Sequence, residues 1–154
     1  MKEKEIMSLG VEQARKTMYD NFGGPFGAVI TDKNNHVIAV SSNTVLYDLD
    51  PTAHAEVNVI RKACEILKTY DLSDYILYAT GYPCPMCLGA IMWANIKTVY
   101  YGTDLEDAKK IGFKDEFIYD FIKNKTNALE ITQVSRDECI KLFNEYAEQE
   151  KTIY

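Results

Sequence analysis

Between residues 37 and 101, short β-branched and aromatic runs alternate with helical stripes, and this alternation limits the fold more than any other feature of the chain. Residues 37–41, 75–80 and 96–101 have strand length and composition. Between them, Val59, Ile60, Ala63, Ile66 and Leu67 form one helical stripe over about 53–69, and residues 85–94 form a short, almost wholly apolar helix. Strand, helix, strand, helix, strand is two successive crossover units, which predicts neighbouring parallel strands with right-handed crossovers and helices covering the sheet. Each crossover helix then starts just past the C-terminal end of a strand, the edge where open α/β sheets hold their ligands.

The flanks extend this frame. Met7, Val11, Ala14 and Met18 mark an amphipathic first helix, which the breakers Asn21, Gly23, Gly24 and Pro25 end. Residues 26–31, the turn chemistry of 32–35 and residues 37–41 predict a hairpin. Residues 129–134 predict a fifth and last strand. Cys139, Leu142, Phe143, Tyr146 and Ala147 predict the inner stripe of a final helix. Residues 103–127 show no clear period.

The length of 154 residues fits one domain spanning 1–154, and an apolar share of 47% supplies an ordinary core. No apolar run approaches the roughly 18 residues that cross a bilayer, and the first ten residues lack a signal-peptide core. A cytoplasmic protein is therefore expected, with no membrane partner. In a reducing compartment the four cysteines, 64, 84, 87 and 139, are not read as disulfides; their close pair reads as metal-binding or redox-active. A formal charge of −6 disfavours nucleic acid, whose binding draws on phosphate neutralisation, and favours a small substrate.

The chemistry gathers at the two helix starts. His54-Ala55-Glu56 opens one; Pro83-Cys84-Pro85-Met86-Cys87 opens the other. Cys84 and Cys87, three apart, share a helix face, Pro85 suits a first turn that loses no donor there, and the positive helix end favours thiolates. If both helices start on one sheet edge, His54 meets the two cysteines and supplies three ligands of a tetrahedral zinc. Cys64 lies ten residues along the helix, roughly 15 Å away, too far to be the fourth. Cys139 and His36 stay open as fourth ligands, whereas a position left to water is the catalytic arrangement. Glu56 is the candidate proton shuttle. On a regular helix it points about 200° away from His54, so the two share a site only in irregular or first-turn geometry. A thioredoxin-like dithiol and a zinc-stabilised binding module are the competing readings of the isolated pair. The combination H-x-E…P-C-x-x-C is the signature of zinc base deaminases.

Residues 23–30 (GGPFGAVI), 50–56 (DPTAHAE), 83–91 (PCPMCLGAI) and 112–119 (GFKDEFIY) extend that signature. Over about 23–122 the chain resembles the cytidine-deaminase-like superfamily, and within it the short zinc-dependent bacterial guanine deaminases. The resemblance implies a three-layer α/β/α sandwich with a mixed five-stranded sheet and one Zn2+ per subunit, held by His54, Cys84 and Cys87. It implies hydrolytic deamination of a purine base, guanine to xanthine and ammonia, by attack at C2, with Glu56 moving the proton to N3 and then to the leaving amine. Asn43 would hydrogen-bond the base, Ala55 would lie in the base site, and Asp115 would contact the 2-amino group and relay a proton. Phe26 and Trp93 would wall a purine slot. The resemblance further implies a homodimer whose C-terminal segments are exchanged, Tyr154 capping the partner's substrate. One departure stands out: the family's Cys-Glu before the Pro-Cys motif is Gly81-Tyr82 here. A tRNA adenosine, cytosine, or an aminated triazine or pterin is the alternative substrate within the same chemistry.

Overall fold

In the computed structural model, which describes residues 1–154, the chain divides into two compact units, Met1–Asp115 and Glu116–Tyr154. The first unit runs α1 (Glu3–Tyr19), β1 (Gly27–Asp32), β2 (Val37–Ser42), α2 (Val45–Asp48), α3 (Ala55–Leu67), β3 (Tyr75–Gly81), α4 (Pro85–Trp93), β4 (Thr98–Thr103) and α5 (Leu105–Lys110). The second holds α6 (Glu116–Ile122) and α7 (Arg136–Glu148).

The sheet has four strands in the order β2-β1-β3-β4. The hairpin partners β1 and β2 are antiparallel, β1 and β3 are antiparallel, and β3 and β4 are parallel. This corrects the expectation that both crossovers join neighbours: only the second does. The first skips a place, because β1 sits between β2 and β3. Two antiparallel steps restore direction, so β2 and β3 still point the same way and end on the same edge.

The alternation of side chains along the central strands builds two cores. Ala28, Ile30, Leu77 and Ala79 face Ala55, Val59 and Ala63 of α3 and Ile91 of α4. Val29 and Tyr78, on the opposite face, pack with Ile6 of α1. The result is the expected three-layer sandwich, with α1 on one side and α3 and α4 on the other.

Contact between α1 and the sheet is backbone against backbone at one point. A Cβ added at Gly27 would stand 2.0 Å from the Gly10 carbonyl oxygen, and the Gly27 N–H donates to Thr80 Oγ1 at 2.9 Å. Main chain cannot give way as a side-chain tip can, so Gly27→Ala is expected to destabilise the protein by about 3 kcal/mol, the upper range for overpacking. Urea unfolding checks this; an unchanged midpoint would show that α1 shifts freely.

Residues 129–134 do not form the fifth strand. They are unpaired, with Leu129, Ile131 and Val134 exposed. β-Branched composition favours extended backbone but does not provide a neighbouring edge. The stripe on α7 is likewise uncovered, since Leu142 and Phe143 are exposed and neither α6 nor α7 buries a residue. In the stretch that showed no period, Asp104 and Asp107 cap α5 reciprocally, at 2.9 and 3.0 Å.

Candidate active site

His54 and Cys84 occupy the same structural position on different helices. Each is the N-cap residue, with extended backbone angles (φ −70°, ψ 155° and φ −68°, ψ 169°). Local chemistry sets both. Asp50 Oδ1 accepts from the Thr52 N–H at 2.8 Å and its hydroxyl at 2.7 Å, folding the turn that delivers His54, and Pro85 occupies the first position of α4. Because β2 and β3 end on one edge, the two caps meet.

His54 Nδ1 lies 3.5 Å from Cys87 Sγ and 3.6 Å from Cys84 Sγ, and the three donor atoms lie within 4.8 Å of one another. Zinc bonds of 2.0–2.1 Å to nitrogen and 2.3 Å to sulfur, opened to the tetrahedral angle, separate N and S by about 3.5 Å. The donor set and its spacing therefore fit zinc. Cys87 is buried while His54 and Cys84 are half-buried, so the group opens on one side. No fourth side chain joins it in the first unit. Cys64 lies down α3, as the length estimate requires. His36 belongs to the β1–β2 turn, its ring 2.9 Å from Asp32 Oδ2. Cys139 is an exposed residue of the second unit.

The electrostatics suit a cation. Hydrogen bonding with Cys87, helped by His54, pulls the Cys84 thiol down to about 4. Cys87 is driven upward by the same pairing and by burial. His54 is raised by its contact with Cys84, against the opposing effect of burial.

Glu56 is only 7% exposed and reaches the Cys87 thiol. Burial raises its pKa, partly offset by its own helix N–H and the Cys87 contact. His54 and Glu56 are not held roughly 200° apart. His54 precedes the helix in extended conformation, so the 100° step per residue begins only after it.

Asn43 directly follows β2 and is buried. Its N–H donates to the Phe26 carbonyl at 2.9 Å, and its Oδ1 accepts the Val45 N–H at 3.1 Å. That second bond fixes the amide with its NH2 group as the available donor. Gly23 is required beside it, for a Cβ there would lie 2.2 Å from Asn43 Oδ1. Phe26 sits between Gly24 and Gly81 and meets Phe113 edge-on at 5.1 Å. A Cβ at Gly81 would stand 3.3 Å from the Phe26 ring, so the departure from Cys at 81 gives that ring room. Tyr82, in the position of the missing acid, is exposed and packs edge-on with Tyr101 at 5.0 Å. Ala55 is buried at the first turn of α3. Phe113, which meets the Phe26 ring, lies two residues before the half-buried Asp115.

Trp93 ends α4, about 13 Å along the helix from Cys84, and is 70% exposed. Tyr154 closes the second unit. Sequence reasoning missed Asn58, whose side chain bonds at both ends of the loop between β2 and α3. The available signal was an asparagine inside a helix, a residue type that ordinarily avoids that place.

A three-layer α/β domain that collects one imidazole and two thiols at two helix starts on one sheet edge, with a buried carboxyl beside them, is a mononuclear zinc-centre domain. Comparison with known proteins narrows the class. The chain belongs to the family described as the cytidine and deoxycytidylate deaminase zinc-binding region, whose sequence model matches residues 1–103. It is 49% identical over 119 residues to the guanine deaminase of Bacillus subtilis (strain 168), covering 77% of this chain and 76% of that one. It is 35% identical over 133 residues to a tRNA-specific adenosine deaminase of Haemophilus influenzae, covering 84% and 76%. The crystal structure of Bacillus subtilis guanine deaminase superimposes with a TM-score of 0.93 at 41% identity, covering 100% of this chain and 99% of that one.

Proposed function

We propose that this protein is a zinc-dependent guanine deaminase, converting guanine and water to xanthine and ammonia. The observation that carries the proposal is the three-donor group at zinc spacing with the buried Glu56 beside it. The likeness to a guanine deaminase selects the base. Zinc held by His54, Cys84 and Cys87 supplies Lewis acidity, which lowers the pKa of water toward roughly 7.

The chain's own residues do the rest. Glu56 would accept one proton of the attacking water and pass it to N3 as the C2–O bond forms, then take the remaining proton from the C2 hydroxyl as the carbonyl forms and deliver it to the amine as the C2–N bond breaks and ammonia leaves. Burial raises its pKa, and a carboxyl that alternately takes and gives a proton serves as base and acid in turn. The Asn43 NH2 group donates to an acceptor on the base. Phe26 forms an apolar wall, Ala55 lines the floor at the helix start, and Asp115 receives the 2-amino group and relays a proton. The N–H groups of the first turn of α4 face developing negative charge.

The proposal includes a homodimer that exchanges its C-terminal segments. Met92 and Trp93 on α4 and Tyr100 and Tyr101 on the edge strand β4 are exposed in the first unit, and Leu129, Ile131, Leu142 and Phe143 are exposed in the second, apolar side chains that a second copy would cover. Trp93 then belongs to the face that the second copy covers. Tyr154 closes the partner's site, its tail held by the bond from the Tyr146 hydroxyl to the Thr152 carbonyl. Removal of residues 152–154 is expected to lower kcat/KM by about tenfold or more, the scale of a lost positioning contact, with the melting temperature unchanged. Equal kinetics in the truncated protein would remove the lid. No helix is long and apolar enough to cross a membrane. Cys64 and Cys139 as free thiols, beside the two thiol ligands Cys84 and Cys87, suit a reducing cytoplasm.

The deciding experiment offers guanine, adenine, cytosine, melamine, a pterin and a tRNA anticodon stem-loop to the zinc-loaded protein and reads ammonia. Release from guanine well above the others is expected. Release confined to another compound, or from none, would overturn the assignment.

A further inference from the structure

We propose that Asn58 is a positioning residue that ties the base-contacting Asn43 to the zinc-ligand His54 through one amide, an inference that rests on the function proposed above. Asn58 Nδ2 lies 2.9 Å from the Ser42 carbonyl, 2.9 Å from Thr44 Oγ1 and 3.2 Å from the Ala53 carbonyl. Ser42 and Thr44 are the residues on either side of Asn43. Ala53 is the residue before His54.

All three partners accept. Two are carbonyls, and the third is a hydroxyl whose own proton goes to Asp48 Oδ2 at 2.6 Å. An NH2 group is therefore the only end of the amide that fits, which fixes the orientation of Asn58. Its two hydrogens shared among three acceptors draw the end of β2 and the start of α3 onto one point. The Thr44 N–H, which donates to the Ala53 carbonyl at 3.0 Å, closes the same loop. Asn58 sits one turn into α3, where its N–H continues the helix to the His54 carbonyl at 2.9 Å. A first-turn helix residue of modest propensity thus holds both halves of the site in one frame: the Asn43 amide that donates to the base and the His54 imidazole that would bind the metal. Groups that hold a metal ligand in place contribute about 10–100-fold to metal affinity.

The test compares Asn58→Ala and the milder Asn58→Ser, which retains a hydroxyl donor, with the unaltered protein. It measures kcat and KM on guanine, zinc transfer to a chromogenic chelator, and melting temperature. Asn58→Ala is expected to raise KM about tenfold and weaken zinc retention about tenfold, with Asn58→Ser in between. In an Asn43→Ala background the KM effect of Asn58→Ala should vanish, because the group it positions is gone, while the zinc effect persists. A fall in melting temperature with KM and zinc transfer unchanged would overturn the proposal, as would KM losses that simply multiply in the double variant. Should Asn58→Ala fail to fold, Asn58→Ser carries the same comparisons. If the unaltered protein releases no ammonia from guanine, the functional reading fails by itself, and the zinc arm still decides for or against Asn58.

Discussion

Glu56→Gln is expected to keep its zinc and lose guanine deamination by roughly 10³-fold, within the range general acid–base groups contribute. The substitution preserves shape and an amide that still fits the helix start, so His54, Cys84 and Cys87 keep their places. What disappears is the one buried carboxyl beside the metal group able to take a proton from water and return it to the amine. Because burying an ionisable carboxyl is unfavourable, the variant should melt no lower than the parent, and higher in the metal-free state. Zinc content by atomic emission, ammonia release and thermal melting are the three readouts. Near-normal turnover with full zinc would remove Glu56 from the chemistry, and loss of zinc would recast it as a structural support.

The second large effect concerns the metal itself. Cys87→Ala is expected to lose both zinc and all measurable turnover, whereas Cys64→Ala, His36→Ala and Cys139→Ala keep both. Cys87 is the buried member of the group and lies 3.5 Å from His54, so no other thiol can take its place. Chelation of the unaltered protein should reproduce the loss, and zinc should restore it. A ligand that binds only the folded state stabilises it by about 4 kcal/mol at a thousandfold excess over Kd, so melting should fall on chelation and recover with the metal. Zinc lost from Cys139→Ala would instead indicate a four-ligand structural centre. Turnover persisting after complete zinc removal would end the metal assignment.

Much of the site was legible because its signals are short-range. The HxE and PCxxC segments announce ligand types, and Pro85 announces a helix start. The apparent conflict between His54 and Glu56 arose from extending helical periodicity one residue too far; a cap residue with extended angles lies outside that rule. Asn58 was hidden because its three partners come from segments that are distant along the chain until the loop closes. Residues 129–134 have the composition of a last strand and α7 carries an apolar stripe, yet both stay uncovered, because an apolar pattern records a demand for burial without saying which surface meets it. The departure at Gly81-Tyr82 was visible, but its consequence, space for the Phe26 ring, needed coordinates.

The amino-acid sequence alone determined the ligand chemistry, the helix starts and the three-layer class, since capping, proline placement and hydrophobic period act over a few residues. Only the tertiary structure decided that the two helix starts meet. That outcome depends on β1 lying between β2 and β3, which keeps the two strands pointing the same way and brings their ends to one edge. Strand order is a property of long-range pairing, and no local pattern encodes it.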